Sequence, residues 1–409
     1  AARAAYRLHK GLLAAGVSSR MLSQVHVGDD PTVDFVSTGT GLQAKLRRLW
    51  GRHAAKFDGL RNHGLAKLGL KGRSLCWLPD TAGPALINTD ADIVNLHWVC
   101  DGFLRPESIG RIAKPIVWTL HDMWPFCGAE HYTEQTARYC DGYTAENVMP
   151  PNIYLDVDRW LWRRKQRAYA KLENLTIVAP SQWLAEQAQK SALFAGRRVE
   201  VIPYGIDTDR FQPVNKITAR GLLGLPQDRK LILFCAAGAL KNERKGFDFF
   251  QAAIKAYAQN VAEDAVVVIV GSQKPQENID LGIDVIYLGI IEDDSVLALA
   301  YSAVDVMVAP YIIDNLPLSI MEAMACATPV IGFQTGGLVD LIDHKVNGYL
   351  CETKGPESIV NGLCFLLSDG PINGSASLAA REKMKTRFSL ELQADSYTKL
   401  FNDIIEDTR

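Results

Sequence analysis

Short apolar runs rich in Val, Ile and Leu alternate along this chain with longer stretches in which apolar residues recur at helical spacing. The first pattern fits strands buried on both faces, and the second fits amphipathic helices laid over them. In the first half the clearest strands are predicted at residues 93–96, 116–120 and 176–179. A break comes at Val201-Ile-Pro-Tyr-Gly-Ile-Asp207, followed by a polar, proline-containing stretch at 208–213. The alternation then begins afresh, with strands predicted at 231–236, 265–270, 285–288, 304–309 and 329–332, and helices at 247–259, 316–326 and 358–367.

Two such rounds predict an α/β protein of two Rossmann-like, doubly wound domains with parallel sheets, residues 1–206 and 207–388. The helical pattern at 390–405 lies beyond the second domain's last predicted helix, so residues 389–409 are expected to return toward the first domain. Ligands of open parallel sheets bind outside the carboxyl ends of the strands. The chemistry is therefore expected on the loops after the strands, facing a cleft between the domains. The chain opens directly in helical pattern, with Ala1, Ala2, Ala5, Tyr6, Leu8, Leu12 and Leu13 ahead of Gly16 as a stop. Such a helix normally follows a strand and a turn. The first strand is therefore expected to be missing, leaving either an upstream segment or a gap in the first sheet, because unpaired backbone in a core is costly.

A length of 409 residues suits two domains, and 48% apolar with 22% charged residues is ordinary for a soluble globular protein. The formal net charge of −2 argues against a nucleic-acid partner. Eight cysteines form no C-x-x-C pair, which fits reduced thiols in a reducing compartment. No apolar run approaches the ~18 residues of a membrane span, and no signal-peptide pattern precedes the first helix, so a cytoplasmic location is expected. Residues 45–73 carry nine Lys or Arg and a single acid, Asp58, with Trp50, Phe57 and Leu60 interleaved. A second basic stretch, 159–171, holds Trp160, Trp162 and Tyr169. Solvated helices account for both; so does peripheral adhesion to an anionic membrane or a diphosphate-lipid acceptor.

The densest chemistry lies in Asp314-Asn-Leu-Pro-Leu-Ser-Ile-Met-Glu322. A strand ends, a loop carries one acid, and a helix follows with Pro317 in its first turn, where its missing N–H costs nothing. The amides of Leu318 and Ser319 then form an anion site for a phosphate. Glu322, an acceptor-only carboxylate, can take both hydroxyl protons of a ribose. After the first strand of the same domain comes Gly238-Ala-Leu-Lys-Asn-Glu-Arg-Lys-Gly246. A departing nucleoside diphosphate develops negative charge, which Arg244 and Lys245 are placed to stabilise without a metal. Lys241 is an alternative source of that charge.

Together with Thr328-Pro-Val-Ile331, Thr335-Gly-Gly337 and Asn347-Gly-Tyr-Leu350, these motifs make the chain similar to the family-4 retaining glycosyltransferases of the GT-B fold, over nearly its whole length. The resemblance implies transfer of a hexose from a nucleotide-sugar, UDP-glucose-like, to a saccharide or lipid-linked acceptor in surface polysaccharide synthesis, with no cofactor. It implies that Asp314 touches the donor sugar. It also implies that Asn315 and Leu316 join Arg244, Lys245, Leu318, Ser319 and Glu322 at the donor. His121, in Thr119-Leu-His-Asp-Met-Trp-Pro125, looks like the family's histidine that bonds a donor-sugar hydroxyl near the reacting carbon, and His97 is assigned to the acceptor side. The chain departs from the family pattern at Asp314 (usually Glu), Ala327 (usually Gly), Tyr204 (usually Asn) and Ala239 (usually Arg).

Metal readings are weaker. Asp90-Ala-Asp92 precedes a strand instead of following one, Asp156-Val-Asp158 opens a helix and reads as a cap or surface acids, and Cys127, His131 and Cys140 lack a fourth zinc ligand. Competing classes are a GT-B sugar-nucleotide hydrolase or epimerase, a non-catalytic nucleotide-sugar-binding protein, and a nicotinamide oxidoreductase. The last would need G-x-G-x-x-G between a strand and a helix, which is absent.

Overall fold

The computed structural model describes residues 1–24, 29–35, 72–133, 136–148, 156–235, 238, 242–260, 264–276, 279–368 and 370–408. The basic stretch at 45–71, together with Ala239 and Lys241, lies outside the described residues. The chain forms two compact units, residues 1–202 with 394–409, and residues 203–393.

In the first unit, strands β1 (Met21–Ser23) and β2 (Val33–Phe35) pair parallel. A separate parallel sheet runs β3 (Val94–Leu96), β4 (Ile116–Thr119), β5 (Leu175–Ala179) and β6 (Arg198–Val201), in that order. Every residue of β4 and β5 is buried. Strand side chains alternate between faces, and the packing follows that period. Ile116, Trp118, Ile177 and Ala179 point into a large aromatic-rich core. Val117 and Val178 meet Leu8 and Leu12 of the helix Ala2–Ala14 and Tyr397, Leu400 and Ile404 of the helix Leu390–Asp407. Thr119, on this second face, lies 2.7 Å from the buried Tyr397 hydroxyl.

The second unit holds one six-stranded, wholly parallel sheet of β7 (Lys230–Cys235), β8 (Ala265–Val270), β9 (Asp284–Gly289), β10 (Val306–Ala309), β11 (Val330–Phe333) and β12 (Gly348–Cys351). Its order is β12-β11-β10-β7-β8-β9. The chain winds outward from β7 through β9, then crosses to β10 on the other side of β7. The order therefore reverses between β7 and β10, the place where an open sheet leaves a crevice at its carboxyl edge. The helices Phe247–Asn260 and Pro356–Leu367 cover one face through Phe247, Phe250, Ile254, Ile359 and Leu363.

The pattern expected no strand at β1, β2, β6 or β12. The second unit's last helix is Ile372–Arg387, beyond the 358–367 helix that had been expected to close it. Its buried positions are Ala376, Ala380, Lys383 and Met384, of which only Met384 is a large apolar residue, too few to mark a stripe. The helix Leu318–Ala325 starts later than the predicted 316–326, with Pro317 one position before its first turn instead of inside it. It ends in a Schellman motif, in which Thr328 N donates to Ala323 O (2.9 Å) and Ala327 N to Met324 O (3.0 Å). That motif needs a left-handed residue, and Ala327 supplies it at φ 61°. Alanine is strained there and glycine is not. Ala327→Gly is therefore expected to stabilise the second unit by about 1 kcal/mol, read as a rise in its denaturation midpoint; an unchanged or lowered midpoint refutes the strain.

Candidate functional site

The loops leaving β7, β10 and β11 lie backbone to backbone. Gly246, at φ 70°, lies so close to the β10 loop that a Cβ would fall 1.9 Å from Pro310 O. A Cβ on Gly336 would fall 2.1 Å from Asp314 O, and Gly337 N donates to that same carbonyl at 3.0 Å. Ile312 N donates to Arg244 O (2.9 Å), and Thr335 Oγ1 donates to Ile312 O (3.0 Å). The Thr-Gly-Gly motif thus lets the β11 loop approach the acid-bearing loop.

This scaffold brings Arg244, Lys245 and Asp314 together. Lys245 Nζ donates to Asp314 Oδ2 at 2.9 Å, and Arg244 Nη1 lies 3.5 Å from the same oxygen while donating to Ile313 O at 3.2 Å. The ammonium also sits 3.8 Å from the centroid of the Tyr311 ring. Burial alone would raise the Asp314 pKa, but the charges of Lys245 and then Arg244 hold it below its ordinary value. Burial would likewise lower that of Lys245, yet Tyr311 and Asp314 carry it above. Both partners are ionised.

Behind this pair runs a polar chain. Tyr311 OH donates to Cys235 O (2.8 Å) and lies 3.0 Å from Ser319 Oγ. Cys235 Sγ is 3.5 Å from Tyr301 OH, which donates to Glu322 Oε2 at 3.2 Å. Glu322 is 2% exposed, so one of its oxygens is already engaged in a nearly dry setting. Ile320 and Met321 make the first helical bonds, both to Pro317 O. The Leu318 and Ser319 amides thus stand at the helix mouth. Asn315 and Leu316 turn their side chains inward, and Asp314 Oδ1 accepts from Asn315 N at 2.9 Å. The sequence pattern missed Tyr301 and Tyr311. Tyr311 follows directly on Ala309-Pro310 at the strand end, a position that could have marked it.

In the first unit, His97 and His121 follow the neighbouring strands β3 and β4. Their Nδ1 and Nε2 atoms lie 3.0 Å apart, sharing one proton. Burial pushes the His97 pKa down to about 3 and lowers that of His121, so both rings are neutral. His131 is held at both nitrogens, with Nδ1 2.7 Å from Asp122 Oδ2 and Nε2 2.9 Å from Ser74 Oγ. Asp156 caps the helix Val157–Tyr169 and pairs with Arg138 at 2.6 Å. Asp158, read from the sequence as a cap or surface acid, is buried and pairs with Arg73 at 2.9 Å. Trp160 on that helix is exposed beneath the Arg164 guanidinium, 4.5 Å away. Among the described residues no three His, Cys, Asp or Glu groups converge to hold a metal ion, and no helix is long and apolar enough to cross a membrane.

The family model for Glycosyltransferase Family 4 matches residues 1–210, and that for glycosyl transferases group 1 matches residues 229–369. An uncharacterized glycosyltransferase of Methanocaldococcus jannaschii is 31% identical over 209 residues, covering 48% of this chain and 52% of that protein. The UDP-Gal:alpha-D-GlcNAc-diphosphoundecaprenol alpha-1,3-galactosyltransferase of Escherichia coli is 28% identical over 218 residues, 51% of this chain and 55% of the relative. The chain thus spans about half the length of these curated relatives. Among solved structures, sucrose-phosphate synthase from Thermosynechococcus elongatus shares the fold at a TM-score of 0.64 and 18% identity, covering 98% of this chain and 92% of that one.

Removing Lys245 leaves the buried Asp314 carboxylate with Arg244 alone, 3.5 Å away and bonded to Ile313 O. Lys245→Met is expected to cost about 3 kcal/mol of stability at neutral pH, with most of that recovered in Lys245→Met/Asp314→Leu. The depressed Asp314 pKa contributes stability above the ordinary aspartate value of 3.8, lost as pH falls through the folded value. The gap between wild type and Lys245→Met should therefore narrow below pH ~4. Additive single costs in a double-mutant cycle would show that the pair is not coupled.

Proposed function

This chain belongs to glycosyltransferase family 4, and we propose that it is a retaining, metal-independent hexosyltransferase using a UDP-hexose donor. The acceptor in this reading is a saccharide or lipid-linked saccharide of cell-surface polysaccharide synthesis. The protein works in the cytoplasm, in peripheral contact with anionic membrane. The observation that carries the reading is the Arg244–Lys245–Asp314 cluster at the strand-order reversal, beside the mouth of the helix Leu318–Ala325. Two cations against one carboxylate leave a net positive charge beside free-standing amides, the chemistry that receives a diphosphate. The donor and lipid-linked acceptor in the Escherichia coli relative's name support the substrate classes. Exposed Trp160 on the basic helix Val157–Tyr169 supports membrane contact.

In this mechanism the helix-mouth amides and Arg244 hold the diphosphate, Glu322 accepts from the ribose, and Asp314, fixed by Lys245, orients the sugar. The bond from the anomeric carbon to the diphosphate oxygen breaks, and fixed cations stabilise the charge that develops. The acceptor hydroxyl attacks from the face that the diphosphate leaves, and its proton passes to a diphosphate oxygen. His121, neutral beside His97, is assigned the bond to a donor-sugar hydroxyl that the family resemblance implies. Inversion would instead require a carboxylate base on the opposite face, and the acids assigned here serve the donor.

Lys245→Ala is expected to lower kcat/KM about 10²- to 10³-fold, while Glu322→Gln weakens binding of free UDP in titration calorimetry. Unchanged values in both variants would overturn the assignments, and UDP-hexose turnover without any acceptor product would indicate a hydrolase. Under excess chelator, an α-linked UDP-hexose should still give an α-linked product, read from the anomeric coupling constant by proton NMR. A β-anomer appearing first, or loss of activity restored by Mg²⁺ or Mn²⁺, would refute retention or metal independence respectively.

A further inference from the structure

We infer that Trp98, Tyr132 and Trp183 in the first unit form an aromatic platform that binds the apolar face of a neutral pyranose ring. Trp98 follows β3, His131 and Tyr132 lie in the loop after β4, and Trp183 opens the helix after β5. Three neighbouring parallel strands thus present these rings from their carboxyl edge. Trp98 stacks on His131 at 6.0 Å between centroids and 25° between planes. Tyr132, the next residue, stacks on Trp183 at 6.4 Å and 18°.

Packing against the first unit's core accounts for Tyr132 and Trp183 but not for Trp98. Large aromatic rings in a core are covered, as Trp118 and Trp124 are here, whereas Trp98 remains 36% exposed. The ring beneath it is locked, because both His131 nitrogens are hydrogen-bonded, to Asp122 and to Ser74. An exposed indole laid flat on an immobilised imidazole is ordered before any ligand arrives, which lowers the entropy cost of binding. Tyr132 OH donates to His121 O at 3.3 Å, which ties the platform to the histidine assigned to the transfer reaction.

The surrounding charge selects the occupant. The charged groups beside His131 are carboxylates, with Asp122 bonded to it and Asp101 within electrostatic reach. Asp122 is buried with its oxygens engaged by His131 and Trp124 N, so its charge disfavours an anion without reaching a ligand. The exposed aromatic face suits an uncharged ring with axial C–H groups on one side. We assign the platform to the terminal neutral pyranose of the acceptor, an inference that rests on the transferase reading.

The test is saturation-transfer difference NMR with methyl β-D-glucopyranoside as the probe and no donor present. Saturation is expected to fall most strongly on the axial H-1, H-3 and H-5 protons. It should drop at least fivefold in Trp98→Ala, persist in Trp98→Phe, and be weaker for methyl β-D-glucuronide. Equal saturation in wild type and Trp98→Ala, or stronger binding of the glucuronide, would overturn the platform. UDP affinity measured on the same samples reports folding and the donor site separately. If UDP fails to bind wild type while the saccharide signal depends on Trp98, the transferase reading falls and the platform stands.

Discussion

The candidate site of the second unit depends on a buried ion pair, Lys245 with Asp314, placed where the loops after the neighbouring strands β7 and β10 leave the sheet. A parallel sheet with reversed strand order must leave two loops diverging from adjacent strands. These loops have no strand ladder to hold them. A backbone bond from Ile312 N to Arg244 O joins them. The Lys245 ammonium adds to it, bonded to the β10 loop's carboxylate and resting on the ring of Tyr311 from the same loop. Each partner would be unfavourable alone at 14% side-chain exposure, and together each keeps the other charged. The close backbone contacts at Gly246 and Gly336 are possible only while that spacing holds.

Much of the fold was legible because buried parallel strands announce themselves. β8 reads Ala-Val-Val-Val-Ile-Val, and every one of its residues is buried. The strands that escaped notice sit at sheet edges, where one side faces water and composition changes. β6 reads Arg-Val-Glu-Val and is largely exposed, and β12 begins at a glycine. Helices failed for a related reason. The stretch 372–387 packs through two alanines, Lys383 and Met384, which fill space without marking a periodic apolar stripe.

The candidate site was legible where chemistry requires an uncommon residue at a fixed point in a motif. Asp314, Arg244 and Lys245 were found separately, from their positions after two different strands, and the fold brings them together. Their relation to each other was invisible, because residues 69 apart carry no pairing signal in a single sequence. The same holds for His97 and His121, whose shared proton depends on β3 and β4 being neighbours. Tyr301 escaped because a tyrosine inside an alanine-rich helix reads as core, and only its contact with Glu322 gives it a polar role.

A second buried lysine clarifies what is particular about the first. Lys165, fully buried in the first unit, donates to the carbonyls of Trp124, Cys127 (3.1 Å) and Gly128 (2.7 Å) and lies 3.5 Å from the Trp124 ring centroid. It fastens the loop after β4, much as Lys245 fastens the loops around β7. Yet its hydrogen-bond acceptors are neutral, and the nearby thiols and Glu130 offset only part of the loss of water, so burial pushes its pKa down to about 8. Tyr311 and the Asp314 carboxylate beside Lys245 reverse that direction and carry the pKa above the ordinary lysine value. Both lysines are anchors by geometry and both are cations at neutral pH, but they differ in how firmly they hold the proton. The lysine whose partner is an acid holds it more firmly in a nearly dry site, which suits it to the anionic half of a substrate. The lysine bonded only to carbonyls holds a turn in place, and its contacts are complete without a ligand.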